Sequence, residues 1–258
     1  MTVRGLLLDL EGVLYQGDTP IPGAVAALED LRAQGLAVRY LTNTTTRPRR
    51  AIAQRLGEMG FAVEADELFT PPAAAARLLS AMSVTRLHLA AETALAEDFA
   101  GFDFVAVGDA DALVLGDLYK DFTWDRLNAL FQRMAAGVPL IALHKNRVCR
   151  REEGIALDLG PFVAALEYAA AAEARVVGKP SPAFFDLALD SLGLAPSEVL
   201  MVGDDIEADI GGALAAGLAA VQVKTGKYRP RDADHPSILP TGRIGSIADL
   251  AGWLADPG

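Results

Sequence analysis

Residues 8 to 15 read Leu8-Asp9-Leu10-Glu11-Gly12-Val13-Leu14-Tyr15, and they continue an apolar run that begins at residue 3. A short Leu-rich run that ends in turn residues is typical of a fully buried strand in the middle of a parallel sheet. Ligands bind at the carboxyl ends of such strands. We therefore expect Asp9 at a ligand-binding edge, with Glu11 pointing to the same side and Gly12 letting the backbone pass close to a ligand.

A lone aspartate after a strand is a weak signal, because Asp9 and Glu11 could simply begin an ordinary loop. The functional interpretation depends on whether other predicted strands also end in polar or charged residues that could act together with a carboxylate.

Composition bounds the classes of function. The chain has 258 residues, 52% of them hydrophobic and 22% charged, which is ordinary for a globular protein with a sizeable core. The formal net charge of −11 argues against a nucleic-acid partner, since phosphate backbones bind basic surfaces. The single cysteine, Cys149, excludes an intramolecular disulfide, and the sequence suggests neither a secretory signal nor a membrane span. We predict a cytoplasmic protein without a membrane partner.

Strand and helix patterns alternate in both halves of the chain. Residues 23–34 have helical spacing, residues 37–41 form a buried strand, and a second helix runs from Pro48 to near Gly60. The pattern returns after residue 176 with a helix at 182–192, a strand at 199–202, a helix that ends near Gly217 and a strand at 219–223. Such alternation predicts an α/β fold with a doubly wound, Rossmann-like parallel sheet.

Residues 71–175 have a different character and form a predicted α/β insertion. Helices are expected at residues 71–82 and 124–136, with strands at 86–90, 104–107, 112–115 and 139–143. This length is enough for a second small core. The predicted domains are therefore a catalytic core, residues 1–70 and 176–258, and an inserted cap domain, residues 71–175.

Polar groups follow four predicted strands of the core. These groups are Asp9, Thr42 within a Thr-Asn-Thr-Thr-Thr run, Lys179, and the Asp204-Asp205 pair with Asp209. Each has an ordinary explanation: a turn lysine, a helix N-cap cluster, or acidic residues favoured at a helix N-terminus. Their conjunction at strand ends favours a site instead.

The order of these groups matches four motifs, an Asp nucleophile, a Ser or Thr, a Lys and a Gly-Asp-Asp cluster. The chain thus resembles the haloacid dehalogenase (HAD) superfamily. The large insertion between the second and third motifs is similar to class IIA, which carries a type-two cap. Several segments are also similar to the group of phospholysine phosphohistidine inorganic pyrophosphate phosphatases, namely residues 9–15, 41–45, 160–163, 177–180 and 224–228.

The resemblance implies a Mg²⁺-dependent phosphohydrolase that forms an aspartyl-phosphate on a small phosphorylated metabolite, a phosphoamino acid or pyrophosphate. Implied catalytic residues are Asp9, Glu11, Thr42 and Lys179. Implied metal ligands are Asp9, the backbone carbonyl of Glu11, and Asp204, with Asp205 and Asp209 supporting the metal and Lys179. Phosphate would be held by Lys179, Thr42 and the backbone N–H groups of Asn43 and Thr44. Elementary chemistry agrees, because Mg²⁺ takes oxygen ligands and phosphoryl transfer needs positioning and charge neutralisation.

Glu11 departs from the pattern, since the residue two positions after the nucleophile is usually an Asp that acts as general acid and base. The extra methylene shifts the carboxylate, and a misplacement of about 1 Å can cost on the order of 100-fold in rate. An alternative function is therefore a catalytically weak, phosphate-binding regulatory protein. A phospho-acceptor receiver domain also combines acidic residues, Thr and Lys in a doubly wound sheet, but the length and the large insertion count against it. A dehalogenase shares the nucleophile, but the Gly203-Asp204-Asp205 cluster points to metal and phosphate instead.

The predicted cap contains the densest positive charge of the chain, residues 144–151. His144, Lys145 and Arg147 are candidates for binding an anionic substrate. A solvated charged hairpin is the alternative for this segment, and His144 is also open to a structural role. The resemblance further implies a possible homodimer that forms through the cap.

Overall fold

A computed structural model describes residues 2–151 and 154–256 of the chain. The chain divides into two units. The core unit extends to Thr42 and includes Arg50–Phe69 and the chain from Lys179 onward. The inserted unit contains Asn43–Arg49 and Thr70–Gly178. The segment 43–49, which lies in the predicted core, thus belongs to the inserted unit.

The strands are β1 (Gly5–Asp9), β2 (Tyr15–Gln16), β3 (Thr19–Pro20), β4 (Ala37–Leu41), β5 (Leu68–Phe69), β6 (Arg86–Ala90), β7 (Asp103–Phe104), β8 (Ala112–Leu115), β9 (Leu140–Ala142), β10 (Val148–Arg151), β11 (Gly154–Leu157), β12 (Arg175–Val176), β13 (Val199–Gly203), β14 (Ala219–Val223) and β15 (Gly242–Ile244).

The α-helices are α1 (Ala24–Ala33), α2 (Arg49–Glu58), α3 (Pro71–Ala81), α4 (Trp124–Ala135), α5 (Leu159–Ala170), α6 (Pro182–Leu192), α7 (Gly212–Ala215) and α8 (Leu250–Ala255). A π-helical segment, Ile206–Gly211, leads into α7, and short 3₁₀ turns occupy Ala65–Glu67, Thr93–Phe99, Val107–Asp109, Tyr119–Asp121, Pro196–Glu198, Pro230–Asp234 and Ile247–Asp249. Across the described ranges, no helix is both long and apolar enough to traverse a bilayer.

The core unit is built on a six-stranded sheet in the order β15-β14-β13-β1-β4-β5. Every neighbouring pair in it is parallel. From β1 the chain proceeds outward through β4 and β5, and from β13 it proceeds in the opposite direction through β14 and β15. The direction of winding therefore reverses between β1 and β13, and the crevice at such a reversal is where doubly wound sheets bind ligands.

Both faces of the central strands are covered. Leu6 and Leu8 of β1 belong to one buried cluster with Leu200 of β13. Leu7 and Met201, which alternate with them and face the other way, are equally inaccessible to solvent. Burial on both faces explains why β1 and β13 are continuous apolar runs. The predicted α/β class with a parallel, doubly wound sheet is confirmed.

The inserted unit has its own five-stranded sheet in the order β12-β9-β8-β6-β7, again with parallel neighbours. The strands β10 and β11 form a separate antiparallel hairpin. Strand β10 contains the last four residues of the positively charged segment 144–151.

Several predicted elements match the structure residue for residue, namely β4, β6, β8, β14 and α6. The predicted strand at 104–107 is wrong, because β7 is a two-residue edge strand that ends at Phe104 and the chain then turns at Val107–Asp109. Phe104 is 49% exposed, so the apolar run there does not lie inside the sheet.

Helix α5 was not predicted from the sequence. Its first turn contains Gly160 and Pro161, two residues that usually interrupt helices. Proline is tolerated there because the first-turn N–H groups have no partner within the helix. The side chain of Asp158 caps this end by accepting a hydrogen bond from the N–H of Leu159 at 2.8 Å.

Candidate active site

Asp9 and Asp204 lie at neighbouring strand ends, at the reversal point of the core sheet. Asp9 is the last residue of β1 and Asp204 directly follows β13, and the register pairs Leu8 with Val202. Only 7% of Asp9 and 1% of Asp204 is exposed. Two carboxylates are thus buried side by side, an arrangement that is costly unless a cation compensates their charge.

Lys179 supplies one such cation. Its buried ammonium donates hydrogen bonds to Asp9 Oδ1 at 2.5 Å, to Asp209 Oδ1 at 2.6 Å and to the carbonyl oxygen of Leu41 at 3.2 Å. Burial by itself would lower the pKa of Lys179, but the Asp209 and Asp9 carboxylates outweigh it and raise the pKa above the usual value. Lys179 therefore stays charged at any physiological pH.

Asp209 orients this lysine and also ties down the turn after β13. Its Oδ2 accepts hydrogen bonds from the backbone N–H groups of Asp204 and Asp205, both at 3.1 Å. Because Oδ1 is taken by Lys179, both oxygens of Asp209 are engaged by protein donors. Asp209 thus holds Lys179 and the turn after β13 in place, and it uses both oxygens for these contacts rather than for a metal ion.

Asp204 presents one buried oxygen with no hydrogen-bond partner. Its Oδ2 accepts from the N–H of Lys227 at 2.6 Å, and its carbonyl accepts from the Gln222 amide at 3.3 Å. Oδ1 is buried without a partner among the residues that the structure describes. Burial, followed by the nearby Asp9 and Asp209 carboxylates, raises the pKa of Asp204 to about 8. A buried, unpartnered carboxylate oxygen points to a ligand that the protein itself does not supply.

Two glycines enclose the other oxygen of Asp204. Gly12 and Gly226 have φ angles of 89° and 61°, a region that favours glycine. A Cβ at either position would overlap Asp204 Oδ2, and one on Gly226 would also collide with the backbone of Gly12. The hydroxyl of Thr225 donates to the carbonyl oxygen of Gly12 and holds the two turns together. The loop 225–227 therefore packs directly on the Asp9 turn.

Asp205 and Lys227 form a second charged pair at the rim. The Lys227 ammonium lies 3.2 Å from Asp205 Oδ2, and Asp205 Oδ1 accepts from the N–H groups of Glu207 and Ala208. Burial by itself would raise the pKa of Asp205, but Lys227 and these N–H donors hold it below the usual range.

The residues fit a divalent metal. Carboxylate oxygens of Asp9, Asp204 and Asp209 lie within 4.8 Å of one another. All are hard oxygen donors, which suit Mg²⁺ or Ca²⁺ rather than a softer metal. Since both Asp209 oxygens are occupied, Asp9 and Oδ1 of Asp204 are the carboxylate groups best placed to bind the ion.

Comparisons with known proteins agree with this geometry. A family model described as haloacid dehalogenase-like hydrolase matches residues 6–105, and one described as HAD-hydrolase-like matches residues 176–250. Haloacid dehalogenase-like hydrolase domain-containing protein 2 of Bos taurus is 42% identical over 238 residues, which are 92% of this chain and 90% of that protein. This chain belongs to the haloacid dehalogenase-like hydrolases. The resemblance predicted from the four motifs is confirmed.

Two further similarities bear on this HAD hydrolase. The phospholysine phosphohistidine inorganic pyrophosphate phosphatase of Xenopus laevis is 40% identical over 253 residues, 95% of this chain and 92% of that protein. The crystal structure of a glycerol phosphate phosphatase from Mycobacterium tuberculosis in complex with magnesium superposes with a TM-score of 0.84 at 31% identity, over 96% of this chain and 76% of that one. Phosphatases thus recur among its relatives.

Glu11 and Thr42 lie at the ends of β1 and β4. Thr42 is buried, and its N–H donates to the carbonyl of Phe69 at 3.1 Å. The Glu11 side chain is exposed, and its Oε1 accepts a hydrogen bond from the N–H of Gly17 at 2.9 Å. Gly17 lies in the turn of the β2–β3 hairpin, so the side chain of Glu11 connects the turn after Asp9 to this hairpin.

The remaining predicted site residues of this HAD hydrolase, Asn43, Thr44, His144, Lys145 and Arg147, belong to the inserted unit. His144 is buried, with Nε2 at 3.7 Å from Asp158 Oδ1 and Nδ1 accepting from the N–H of Asn146 at 3.3 Å. Lys145 forms an ion pair with Glu167 at 2.6 Å. These contacts give His144 a structural environment, and the substrate-binding role of the positive segment stays a prediction.

Sequence reasoning missed the roles of Lys227 and Gln222. The segment 224–228 carries a family resemblance, but nothing in its pattern predicts that the N–H of Lys227 donates to Asp204 Oδ2. Gln222 was hidden inside an apolar strand, β14. A polar residue in a buried strand is the signal that would have identified it.

Gly226→Ala tests the close packing against Asp204. The added methyl group overlaps Asp204 Oδ2 and must displace that carboxylate, so we expect divalent-metal affinity to fall by about 10-fold or more. Isothermal titration with Mg²⁺ measures the effect.

Gly193→Ala is the matched control for this variant. Gly193 has a φ angle of 62°, but no other group lies within 4 Å of its Cβ position. It shares the cost of a left-handed alanine, roughly 1 kcal/mol, and should retain the parental metal affinity. Equal metal affinities for the two variants would contradict the packing argument.

Metal-induced stabilisation should increase with pH. In the metal-free fold the pKa values of Asp9 and Asp204 are raised to about 6 and about 8, chiefly by burial. The folded, metal-free protein therefore retains protons that the unfolded chain has lost, so these two carboxyl groups contribute less to its stability as pH rises. At low pH the same protons compete with the metal ion for the carboxylates. We expect the Tm difference with and without Mg²⁺ to grow from about pH 5 to about pH 8.5. Asp204→Asn should show a small difference throughout, and a pH-independent shift in the unmodified protein would refute the prediction.

Proposed function

We propose that this HAD hydrolase is a Mg²⁺-dependent phosphohydrolase that forms a covalent phosphate intermediate on Asp9. The observation that supports the proposal is the pairing of the Asp9 carboxylate with the Lys179 ammonium at 2.5 Å, beside the unpartnered oxygen of Asp204. A nucleophile, a fixed cation and an open metal ligand lie at one edge of the core sheet. This combination suits attack on a phosphoryl group.

Asp9, the backbone carbonyl of Glu11 and Oδ1 of Asp204 would hold the Mg²⁺. The ion supplies neutralisation of the phosphate charge when it is bound. Oxygen ligands suit hard cations such as Mg²⁺, Ca²⁺ and Mn²⁺ rather than soft metals, and the magnesium complex of the similar glycerol phosphate phosphatase supports the choice of Mg²⁺.

A carboxylate oxygen of Asp9 would attack phosphorus while the bond from phosphorus to the leaving-group oxygen breaks. Water would then attack the aspartyl-phosphate, releasing inorganic phosphate and restoring Asp9. Lys179 holds Asp9 in place and offsets the negative charge of the phosphoryl oxygens. The Thr42 hydroxyl would bind a phosphoryl oxygen, and the same role for Asn43 and Thr44 rests on the sequence resemblance.

Glu11 would protonate the leaving group and deprotonate the water. Its carboxyl follows the nucleophile by two residues, and its exposure leaves it accessible to substrate. General acid–base catalysis of this kind is worth roughly 100- to 10,000-fold in rate. To act, the side chain would exchange its hydrogen bond to Gly17 for one to the substrate.

The proposed substrate class is a small phosphorylated metabolite, a phosphoamino acid or pyrophosphate. The similarity to the Xenopus phosphatase supports the latter two. Selection by His144, Lys145 and Arg147 of the inserted unit stays a prediction, as does a cytoplasmic location.

A homodimer through the inserted unit is also proposed. The β10–β11 hairpin exposes Val148, Ile155 and Leu157 by 55%, 78% and 61%, and exposed apolar side chains of this kind favour association. A second copy of the chain would cover them.

A second candidate function, phosphate binding with little catalysis, is favoured by one contact. The Glu11 carboxylate is engaged by the N–H of Gly17, which is a structural use of the side chain at the acid–base position. In that case the site would bind Mg²⁺ and phosphate without turnover.

Asp9→Asn tests the proposed function. The amide cannot act as the nucleophile, so release of phosphate from 4-nitrophenyl phosphate, pyrophosphate and phosphoamino acids should fall on the order of 10⁴-fold, and EDTA should abolish it in the unmodified protein. Asp186→Asn, an exposed change on α6, should keep full activity. Acid quenching and mass spectrometry should find phosphate on the peptide that contains Asp9. No turnover in the unmodified protein, with Mg²⁺ and phosphate still bound, would favour the second candidate.

Glu11→Gln separates catalysis from structure. Glutamine can still accept the hydrogen bond from Gly17 but cannot transfer a proton, whereas Glu11→Ala loses both functions. We expect both variants to lower turnover by roughly 100-fold or more on poor leaving groups, and Glu11→Asp to preserve or raise it. Full activity in Glu11→Gln would limit Glu11 to anchoring the hairpin.

A further inference from the structure

Gln222 is a fully buried polar residue in an otherwise apolar strand. It lies in β14, paired in register with Gly203 of β13 on one side and Arg243 of β15 on the other. Burying an amide costs free energy unless its hydrogen bonds are satisfied. The sheet register places this amide beside the residue that precedes Asp204.

The hydrogen bonds of Gln222 belong to a closed ring that starts and ends on Asp204. The Gln222 Nε2 donates to the Asp204 carbonyl at 3.3 Å and to Asp232 Oδ2 at 3.2 Å. Asp232 Oδ2 also accepts from the N–H of Arg229 at 3.0 Å, and the Arg229 guanidinium donates to the Lys227 carbonyl at 2.9 Å. The N–H of Lys227 donates to Asp204 Oδ2 at 2.6 Å, which closes the ring.

Arg243 determines which way the Gln222 amide faces. Its Nε donates to Gln222 Oε1 at 3.2 Å, and its Nη2 donates to the carbonyl of Asp232 at 2.9 Å. The amide oxygen therefore faces a cation, and the NH₂ group faces two acceptors. Glutamine supplies both the acceptor and the donors that these neighbours require. Glutamate would instead place an acceptor oxygen against two other acceptors, Asp232 Oδ2 and the Asp204 carbonyl.

We propose that Gln222 is a positioning residue that aims the free oxygen of Asp204 at the metal. The backbone N–H of Asp204 is held by Asp209, its carbonyl by Gln222 and its Oδ2 by Lys227. With these three points held, the side chain has little freedom to rotate, and Oδ1 is the oxygen left for the ion. The inference rests on the metal site of the proposed function and extends it to a residue that contacts neither metal nor substrate.

The ring also connects Asp204 to the loop that carries Lys227. Breaking it at Gln222 should release both the Asp204 carbonyl and, through Asp232 and Arg229, the N–H donor of Lys227. Groups that orient a metal ligand typically contribute 10- to 100-fold to metal affinity. We expect that range for the loss of Gln222.

The test compares Mg²⁺ dissociation constants of the unmodified protein, Gln222→Met and Gln222→Glu by calorimetric titration, with urea unfolding of each metal-free protein. Gln222→Met nearly preserves volume and removes the amide side-chain hydrogen bonds, and we expect its Mg²⁺ dissociation constant to rise by about 10- to 100-fold. Gln222→Glu should weaken metal binding at least as much despite its nearly identical shape. Turnover of Gln222→Met should recover at Mg²⁺ concentrations above its raised dissociation constant.

Glu67→Gln is the matched control. It removes the charge of Glu67 from the part-buried ion pair with Arg32. This pair lies in the same unit as Gln222, and among the described residues it makes no hydrogen bond to the ring. The variant should lose stability without changing metal affinity. Arg229→Met offers a second break in the ring at an exposed residue, where folding is not at risk, and should weaken metal binding in the same direction.

The outcomes separate the two proposals. If the unmodified protein binds Mg²⁺ and releases phosphate while both Gln222 variants and Arg229→Met bind Mg²⁺ equally well, the positioning role is wrong and the phosphohydrolase stands. An equal loss of Mg²⁺ affinity in Glu67→Gln would also overturn the positioning role, because the loss would then follow from lower stability in general. If the unmodified protein binds no Mg²⁺, the metal site of the proposed function fails and the inference fails with it.

Discussion

The site depends on one buried cation held between two carboxylates. The Lys179 ammonium donates to Asp9 at 2.5 Å and to Asp209 at 2.6 Å, with almost no exposure to solvent. Buried ion pairs add little net stability, because desolvation cancels most of the Coulomb attraction, but losing one partner leaves an uncompensated buried charge. An arrangement this costly is better explained by chemistry than by stability. It also couples three chain segments that are distant in sequence.

Close backbone approach is the second constraint. The turns at Gly12 and Gly226 can approach each other beside Asp204 Oδ2 because neither glycine carries a side chain. One consequence is that a backbone N–H, from Lys227, reaches Asp204 Oδ2. One oxygen of the Asp204 carboxylate is thereby bound by the protein, whereas the other has no partner among the residues 2–151 and 154–256. This difference between the two oxygens favours Asp204 as a metal ligand.

Glu11 connects two turns of the core unit. Its carboxylate follows Asp9 by two residues and reaches the β2–β3 hairpin at Gly17. Arg55 binds the same hairpin turn, at the carbonyl of Gly17 and at Asp18, and stacks over the ring of Tyr15. Glu11 and Arg55 thus both hold the hairpin turn. The position of the Glu11 carboxylate therefore depends on how the hairpin packs in the core unit.

The sequence alone determined the α/β class, the strands that deliver Asp9 and Asp204, and the family. Burial on both faces demands continuous apolar runs, and the polar residues of the four motifs follow at the ends of those runs. Only the tertiary structure decided that Asp204 Oδ1 is left without a partner, that Lys227 contributes its backbone and that Gln222 closes a ring. Those contacts join residues up to 23 positions apart, and they follow from strand register and loop packing rather than local pattern. Helix α5 is hidden for a different and local reason, because Gly160 and Pro161 in its first turn are residues that usually interrupt a helix.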